Sequence, residues 1–212
     1  MKILSHRGYW KNQKEKNSLV AFERSFEKGY GIETDIRDLD GHLIVSHDYV
    51  TYKSDIVYLR DLLKLIKKFS FNSPITIALN IKADGLASLL RSELDNLISE
   101  DIDFFAFDMS VPDMREYFNN NFKVYSRVSE VEHNPSFYDQ CSGIWLDSFN
   151  SNWFDEKVIK KFLDDSKKVC IVSSELHSRE KSDLWDIIYP IRREKNLTLC
   201  TDLPEEATAF FD

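Results

Sequence analysis

Residues 3–36, ILSHRGYWKNQKEKNSLVAFERSFEKGYGIETDI, contain one full structural period and the start of the next. Ile3 to Ser5 is a short apolar run that reads as a strand. Leu19, Val20, Phe22 and Phe26 recur at helical spacing, and Gly29 stands where a helix ends in the left-handed conformation. Residues 30–36 then read as a second strand. Strand, helix, strand is the unit of a parallel sheet. The rest of the chain repeats it, with strands expected at 75–81, 104–107, 123–127, 143–146, 169–172 and 197–200. Helices are expected near 59–69, 85–99, 111–119, 136–140, 155–164, 179–193 and 204–211, and an extended piece at 43–46 follows the Asp40-Gly41 turn. Eight such units favour an α/β fold of the closed (β/α)8 barrel type over an open doubly wound sheet of about five to six strands. No repeat or linker interrupts them, so residues 1–212 are expected to form a single domain.

Composition narrows the function. Apolar residues make up 42% and charged residues 30%, with six glycines and five prolines, which is ordinary globular material. A net charge of −8 argues against a protein that neutralises a nucleic-acid backbone, but a cation and one arginine can still reverse the field within a cleft. Cys141, Cys170 and Cys200 show neither a paired framework nor metal-ligand spacing, and are expected to be buried reduced thiols. No signal peptide or membrane-spanning run is visible, so a cytoplasmic protein is expected.

In such barrels the site lies at the carboxyl ends of the strands, which collects the polar candidates. His6 and Arg7 follow the first strand, Glu33 and Asp35 lie on the second, His47 follows the extended piece, and Asn80 and Lys82 end the third. Glu33 and Asp35, two apart on a strand, share a face. Adjacent carboxylates repel, and a hard divalent cation, Mg2+ or Ca2+, resolves that repulsion. Two histidines at one mouth suit acid-base work near neutral pH, and Arg7 offers a planar fork that matches phosphate. Lys82, inward on a barrel strand, needs an anion. Together these residues describe metal-assisted cleavage of a small phosphodiester.

The ordered set His6-Arg7-Gly8, Asn17-Ser18-Leu19-Val20-Ala21-Phe22, Gly31-Ile32-Glu33-Thr34-Asp35-Ile36-Arg37, Asp40-Gly41 and Val45-Ser46-His47-Asp48 resembles the glycerophosphodiester phosphodiesterase family. Weaker echoes lie in Leu79-Asn80-Ile81-Lys82 and Thr201-Asp202-Leu203-Pro204. The resemblance implies a (β/α)8 barrel, a divalent cation on Glu33 and Asp35, His6 and His47 as acid-base pair, and Arg7 and Lys82 on the phosphate. That family usually has a third metal carboxylate where this chain has Asn80, so the ligand charge falls while one neutral oxygen remains. It tends to be acidic where Lys16 stands, and its aromatic motif after strand seven is here Ser173-Ser174-Glu175-Leu176-His177.

Further strand-end residues are candidates for the substrate. Asp147 is expected to reach the cation or a substrate hydroxyl, Glu175 and His177 to offer a polar patch to a sugar, and Arg127 to grip a second anion. Trp10 is expected either in the core or stacked over a glycerol or sugar. Asp202 is expected to cap the last helix rather than to join the chemistry. Besides hydrolysis, two alternatives stay open: a non-catalytic phosphate-binding barrel, and a lyase that releases a cyclic phosphate when a neighbouring hydroxyl attacks.

Overall fold

The computed structural model describes residues 1–50, 56–69, 71, 74–95 and 102–212. Eight parallel strands close on themselves. β1 (Lys2–His6) pairs with β2 (Gly31–Leu39), and β2 with β5 (Ile75–Ile81). β5 pairs with β6 (Ile102–Phe107), which meets β7 (Tyr125–Val128) through the single parallel bridge Ala106 to Val124. β7, β8 (Gly143–Leu146), β9 (Lys168–Val172) and β10 (Leu197–Thr201) follow in order, and β10 returns to β1. The fold is a (β/α)8 barrel, as the strand count predicts.

The second strand runs beyond the predicted end. Asp40 and Gly41 have φ of 49° and 79°, which folds β3 (His42–Val45) back antiparallel on the upper half of β2, and β4 (Val57–Tyr58) adds to β3. Two consecutive residues at positive φ are what a tight two-residue hairpin requires.

Helix starts follow local capping chemistry. Ser18 accepts the Ala21 amide ahead of α1 (Leu19–Glu27), and α2 (Leu59–Ile66) and α3 (Ala87–Leu94) follow β4 and β5. Ser110 caps α4 (Val111–Asn119) and Asp155 caps α5 (Glu156–Asp164). α6 (Ser182–Ile188) is cut short where the chain tightens into a 3-10 turn over Tyr189–Ile191, at Pro190, and α7 (Pro204–Phe211) closes the chain. The predicted end of the third helix at 96–99 lies outside the described residues. The helix predicted at 136–140 does not form: Phe137 is left-handed at φ 52°, and a bulky residue in that conformation cannot continue a right-handed helix. The fifth strand is therefore backed by turns.

Side-chain alternation sorts the strands into two cores. Outward residues such as Ile32, Ile36, Ile77 and Leu79 pack under the helices. Inward residues Leu4, Phe105, Phe107, Tyr125 and Trp145 fill the barrel, with Phe105 stacked on Tyr125 at 3.7 Å and Phe107 on Trp145 at 3.8 Å. Those rings form the floor beneath the mouth. Cys170 and Cys200 join them, fully buried and unpaired, and burial pushes both thiols up.

Gly31 is inward where there is no room. A Cβ there would lie 2.3 Å from the Thr76 carbonyl oxygen and 2.4 Å from Leu4 Cδ2. Gly31→Ala is expected to cost about 3 kcal/mol, at the upper end of overpacking penalties. Urea unfolding followed by circular dichroism checks this, and an unchanged midpoint would contradict it.

Candidate active site

The polar residues of the mouth are the inward positions at the top of successive strands. His6 ends β1, and the chain turns at once: Arg7 is left-handed at φ 57°, and Gly8 at φ 83° would press a Cβ to 2.8 Å from Ala21 Cβ. The turn is tied to β2, because the Arg7 amide donates to the Glu33 carbonyl at 3.0 Å and approaches Glu33 Oε2 at 3.2 Å. The Arg7 side chain then reaches Asp35 Oδ2 at 3.0 Å.

Glu33 and Asp35 are essentially without solvent contact, at 1% and 0% exposure. Burial raises the Glu33 pKa, and the neighbouring Asp35 charge adds to it. Glu33 Oε1 accepts from Asn80 Nδ2 at 3.0 Å, and Asp35 Oδ2 accepts from Asn17 Nδ2 at 2.8 Å. Asp35 stands opposite Asn80 in the β2–β5 register. Asp35 Oδ1 and Asn80 Oδ1 are both buried without a hydrogen-bond donor, and Lys82 Nζ stands 3.7 Å from the former. Two orphaned oxygens beside the desolvated Glu33 carboxylate suit a hard divalent cation, which takes oxygen ligands. Among the described residues no group of three His, Cys, Asp or Glu side chains is placed to hold a metal ion, so the set that fits is two carboxylates and an amide oxygen.

His6 is held by a partner expected to do something else. Its Nδ1 lies 2.7 Å from Asp202 Oδ1, and Trp10 Nε1 donates to the same oxygen at 3.3 Å. Lys16 Nζ stands 3.6 Å from Asp202 Oδ2 and 4.5 Å over the Trp10 ring. Asp202 is thus no helix cap, because its inward position after β10 puts it beside His6. Burial raises its pKa, but the His6 hydrogen bond and charge outweigh that and leave it lowered. The pair's contribution to stability is present above the ordinary carboxylate range and is lost as pH falls through the lowered folded pKa. Asp202→Asn is expected to flatten the acid side of a melting-temperature curve against pH, and a curve unchanged below pH of about 4 would refute the pairing.

His47 sits at the rim, 43% exposed, with Nδ1 at 2.8 Å from Asp48 Oδ1. Lys82 is balanced by Asp108 Oδ2 at 3.1 Å, and Asp108 Oδ1 accepts from Arg127 Nη1 at 2.7 Å. Arg127 also pairs with Glu132 through Nε at 2.6 Å, so two carboxylates hold its guanidinium at the edge of the cavity. Asp147, 5% exposed, contacts His177 Nε2 at 2.6 Å.

Two predicted substrate residues belong elsewhere. Glu175 turns away from the mouth: its carboxylate takes the hydroxyls of Ser173 and Thr201 and the Asp202 amide, which ties β9 to β10. Trp10 buttresses Asp202 and does not line the cavity. The mouth encloses about 270 Å³, lined among others by His6, Arg7, His47, Lys82, Asp147 and His177. Asn17 and Asp108 carry no role in the sequence reading and Asp202 only that of a helix cap, although Asn17 and Asp202 fall within the quoted motifs. Asp108 follows β6 at φ 71°, a polar strand-end position that the barrel rule alone marks out.

No protein-family model matches the sequence, and no curated protein matches it. Solved structures do. A phosphodiesterase from Oleispira antarctica, determined with the product sn-glycerol-3-phosphate, superposes with a TM-score of 0.72 at 14% identity, covering 100% of this chain and 97% of that one. A glycerophosphodiester phosphodiesterase from Agrobacterium tumefaciens gives 0.69 at 14% identity over 99% and 98%. A calcium-dependent phosphoinositol-specific phospholipase C from Pseudomonas sp. gives 0.56 at 13% identity over 96% and 89%. The chain therefore has the barrel fold found in these phosphodiesterases, over its whole length.

Proposed function

We propose that the chain is a metal-dependent phosphodiesterase that hydrolyses a glycerol-linked or sugar-linked phosphodiester to a phosphomonoester and an alcohol. The observation that carries this reading is the His6–Asp202 pair, at 2.7 Å, whose histidine lines the same small cavity as Arg7 and Lys82. A carboxylate on one ring nitrogen fixes the tautomer and leaves the other for proton transfer, an arrangement that holding a phosphate does not require. Structures of like fold include two phosphodiesterases and a phospholipase C, which supports the same chemistry.

In this reading Arg7 and Lys82 bind the phosphate oxygens, each with its own carboxylate setting its direction. His6 Nε2 takes the proton from the attacking water or hydroxyl, and His47 returns one to the departing alcohol oxygen. Asp35, Asn80 and Glu33 would hold Mg2+ or Ca2+, which supplies positive charge against the phosphoryl oxygens when bound. The unpaired thiols fit a reducing cytoplasm, and no helix among the described residues is long and apolar enough to cross a membrane.

A panel of glycerophosphodiesters and sugar-linked diesters, each assayed with Mg2+, Ca2+ and Mn2+, tests the proposal. Turnover that depends on a divalent cation is expected. Absence of turnover with every combination, while inorganic phosphate still binds, would leave a binding barrel. Phosphorus NMR of the product separates hydrolysis from release of a cyclic phosphate.

A further inference from the structure

We propose that Glu175 is a positioning residue for the reaction: it holds the backbone of Asp202, and through Asp202 it sets the His6 ring. The inference rests on the phosphodiesterase reading and adds to it a residue that does not line the cavity.

Asp202 stands just past the support of the sheet. The β1–β10 register ends at Ser5 and Thr201, so the Asp202 amide is the first beyond the ladder. Among the described residues no backbone carbonyl accepts it. Glu175 Oε1 accepts it instead, at 3.1 Å. Both neighbours are tied to the same carboxylate: Thr201 Oγ1 donates to Glu175 Oε1 and accepts the Leu203 amide at 3.0 Å. Three consecutive residues thus take their place from one side chain before Pro204 opens α7.

The anchor is itself fixed. Glu175 Oε2 accepts the Ser173 hydroxyl, and Ser173 Oγ accepts from Trp185 Nε1 at 2.8 Å. Ser173 and Thr201 are fully buried, and Trp185 belongs to the core under α6 and α7. The Ser173 hydroxyl, the Thr201 hydroxyl and the Asp202 amide all donate to two oxygens. An ionised carboxylate meets that demand, since it accepts at both oxygens and brings no proton of its own.

Holding the strands together is not what Glu175 is needed for. The Ser173 amide already donates to the Cys200 carbonyl at 2.9 Å, continuing the β9–β10 ladder to this level. Asp202 is the group with more to lose. Besides His6, its side chain meets Trp10 and Lys16, and both belong to the segment that follows His6 itself. Glu175 comes from the 3-10 turn after β9, so it is the fixed point on the other side. Displacing a group by about 1 Å at the reacting centre costs on the order of 100-fold in rate. Freeing Asp202 therefore acts on kcat and spares phosphate binding by Arg7 and Lys82.

Steady-state kinetics and proton NMR of the whole chain test the assignment. The His6 Nδ1 proton, held by a carboxylate, is expected as a resonance downfield of the amides, assigned by its loss in His6→Ala. Glu175→Ala is expected to lower kcat about 30-fold, to keep KM within about twofold, and to broaden or abolish that resonance. Glu175→Gln keeps an oxygen for Thr201 and the Asp202 amide, so it should bring kcat back to within about threefold of the wild type and restore the resonance. Thr201→Val removes a hydroxyl and keeps the shape; it should move both readouts as Glu175→Ala does, and decides if that variant fails to fold. A folded Glu175→Ala protein that melts earlier but keeps kcat and the resonance overturns the proposal, as does loss of rate with the resonance intact. If the wild type turns over no diester, the phosphodiesterase reading fails, while loss of the resonance in Glu175→Ala and its return in Glu175→Gln still establish that Glu175 positions His6.

Discussion

Replacing His6 with alanine is expected to lower kcat by about 1,000-fold, within the range that a positioned acid-base group contributes. The barrel should stay folded, because His6 ends β1 at the mouth and the packed interior below it is made by Leu4 and its neighbours. Asp202 fixes one ring nitrogen at 2.7 Å, while Nε2 lies toward Glu33 Oε2 at 3.9 Å. His47→Ala should lose less, about 100-fold, because that ring is 43% exposed and its Asp48 partner is 91% exposed. Steady-state rates on the best diester of the panel, with circular dichroism to verify folding, check both. A His6→Ala enzyme that keeps most of its rate would remove His6 from the chemistry.

The second large effect concerns Asp35. Its fully buried carboxylate balances Arg7 at 3.0 Å, accepts from Asn17 at 2.8 Å, and turns its other oxygen to the candidate cation position. Asp35→Ala is expected to cost about 3 kcal/mol, since it removes the buried carboxylate and leaves the largely buried Arg7 guanidinium without its partner. It should also abolish the rise in melting temperature that Mg2+ or Ca2+ is expected to produce in the wild type, because a ligand that binds the folded chain stabilises it by mass action. Asn80→Glu should do the reverse and enlarge that rise by restoring a third negative ligand. Thermal melts with and without cation check both. If the cation titration of Asn80→Glu matches the wild type, Asn80 lies outside the cation's ligands.

The parts of this site that were legible beforehand were those whose geometry is local. Glu33 and Asp35 share a face because strand side chains alternate, and no long-range contact is needed to know it. The Asp40-Gly41 turn is likewise written in neighbouring residues. The predicted 136–140 helix failed for a local reason as well, the left-handed Phe137. Lys82, Arg127 and Glu175 show the opposite case. Each was identified as polar and at a strand end, yet whether its charge is free depends on Asp108, Glu132, Ser173 and Thr201, from other strands and loops.

The sequence by itself determined the barrel, through eight repeats of a strand and its connection, and the identity of the groups at the mouth. Only the tertiary structure decided which of them work together. His6 and Asp202 are separated by 196 positions and meet because β10 closes onto β1. Asp147 and His177 meet because β8 and β9 are adjacent in the closed sheet. Closure of a cylinder is a property of all its strands at once, so it converts distant strand ends into one 270 Å³ cavity that no single segment encodes.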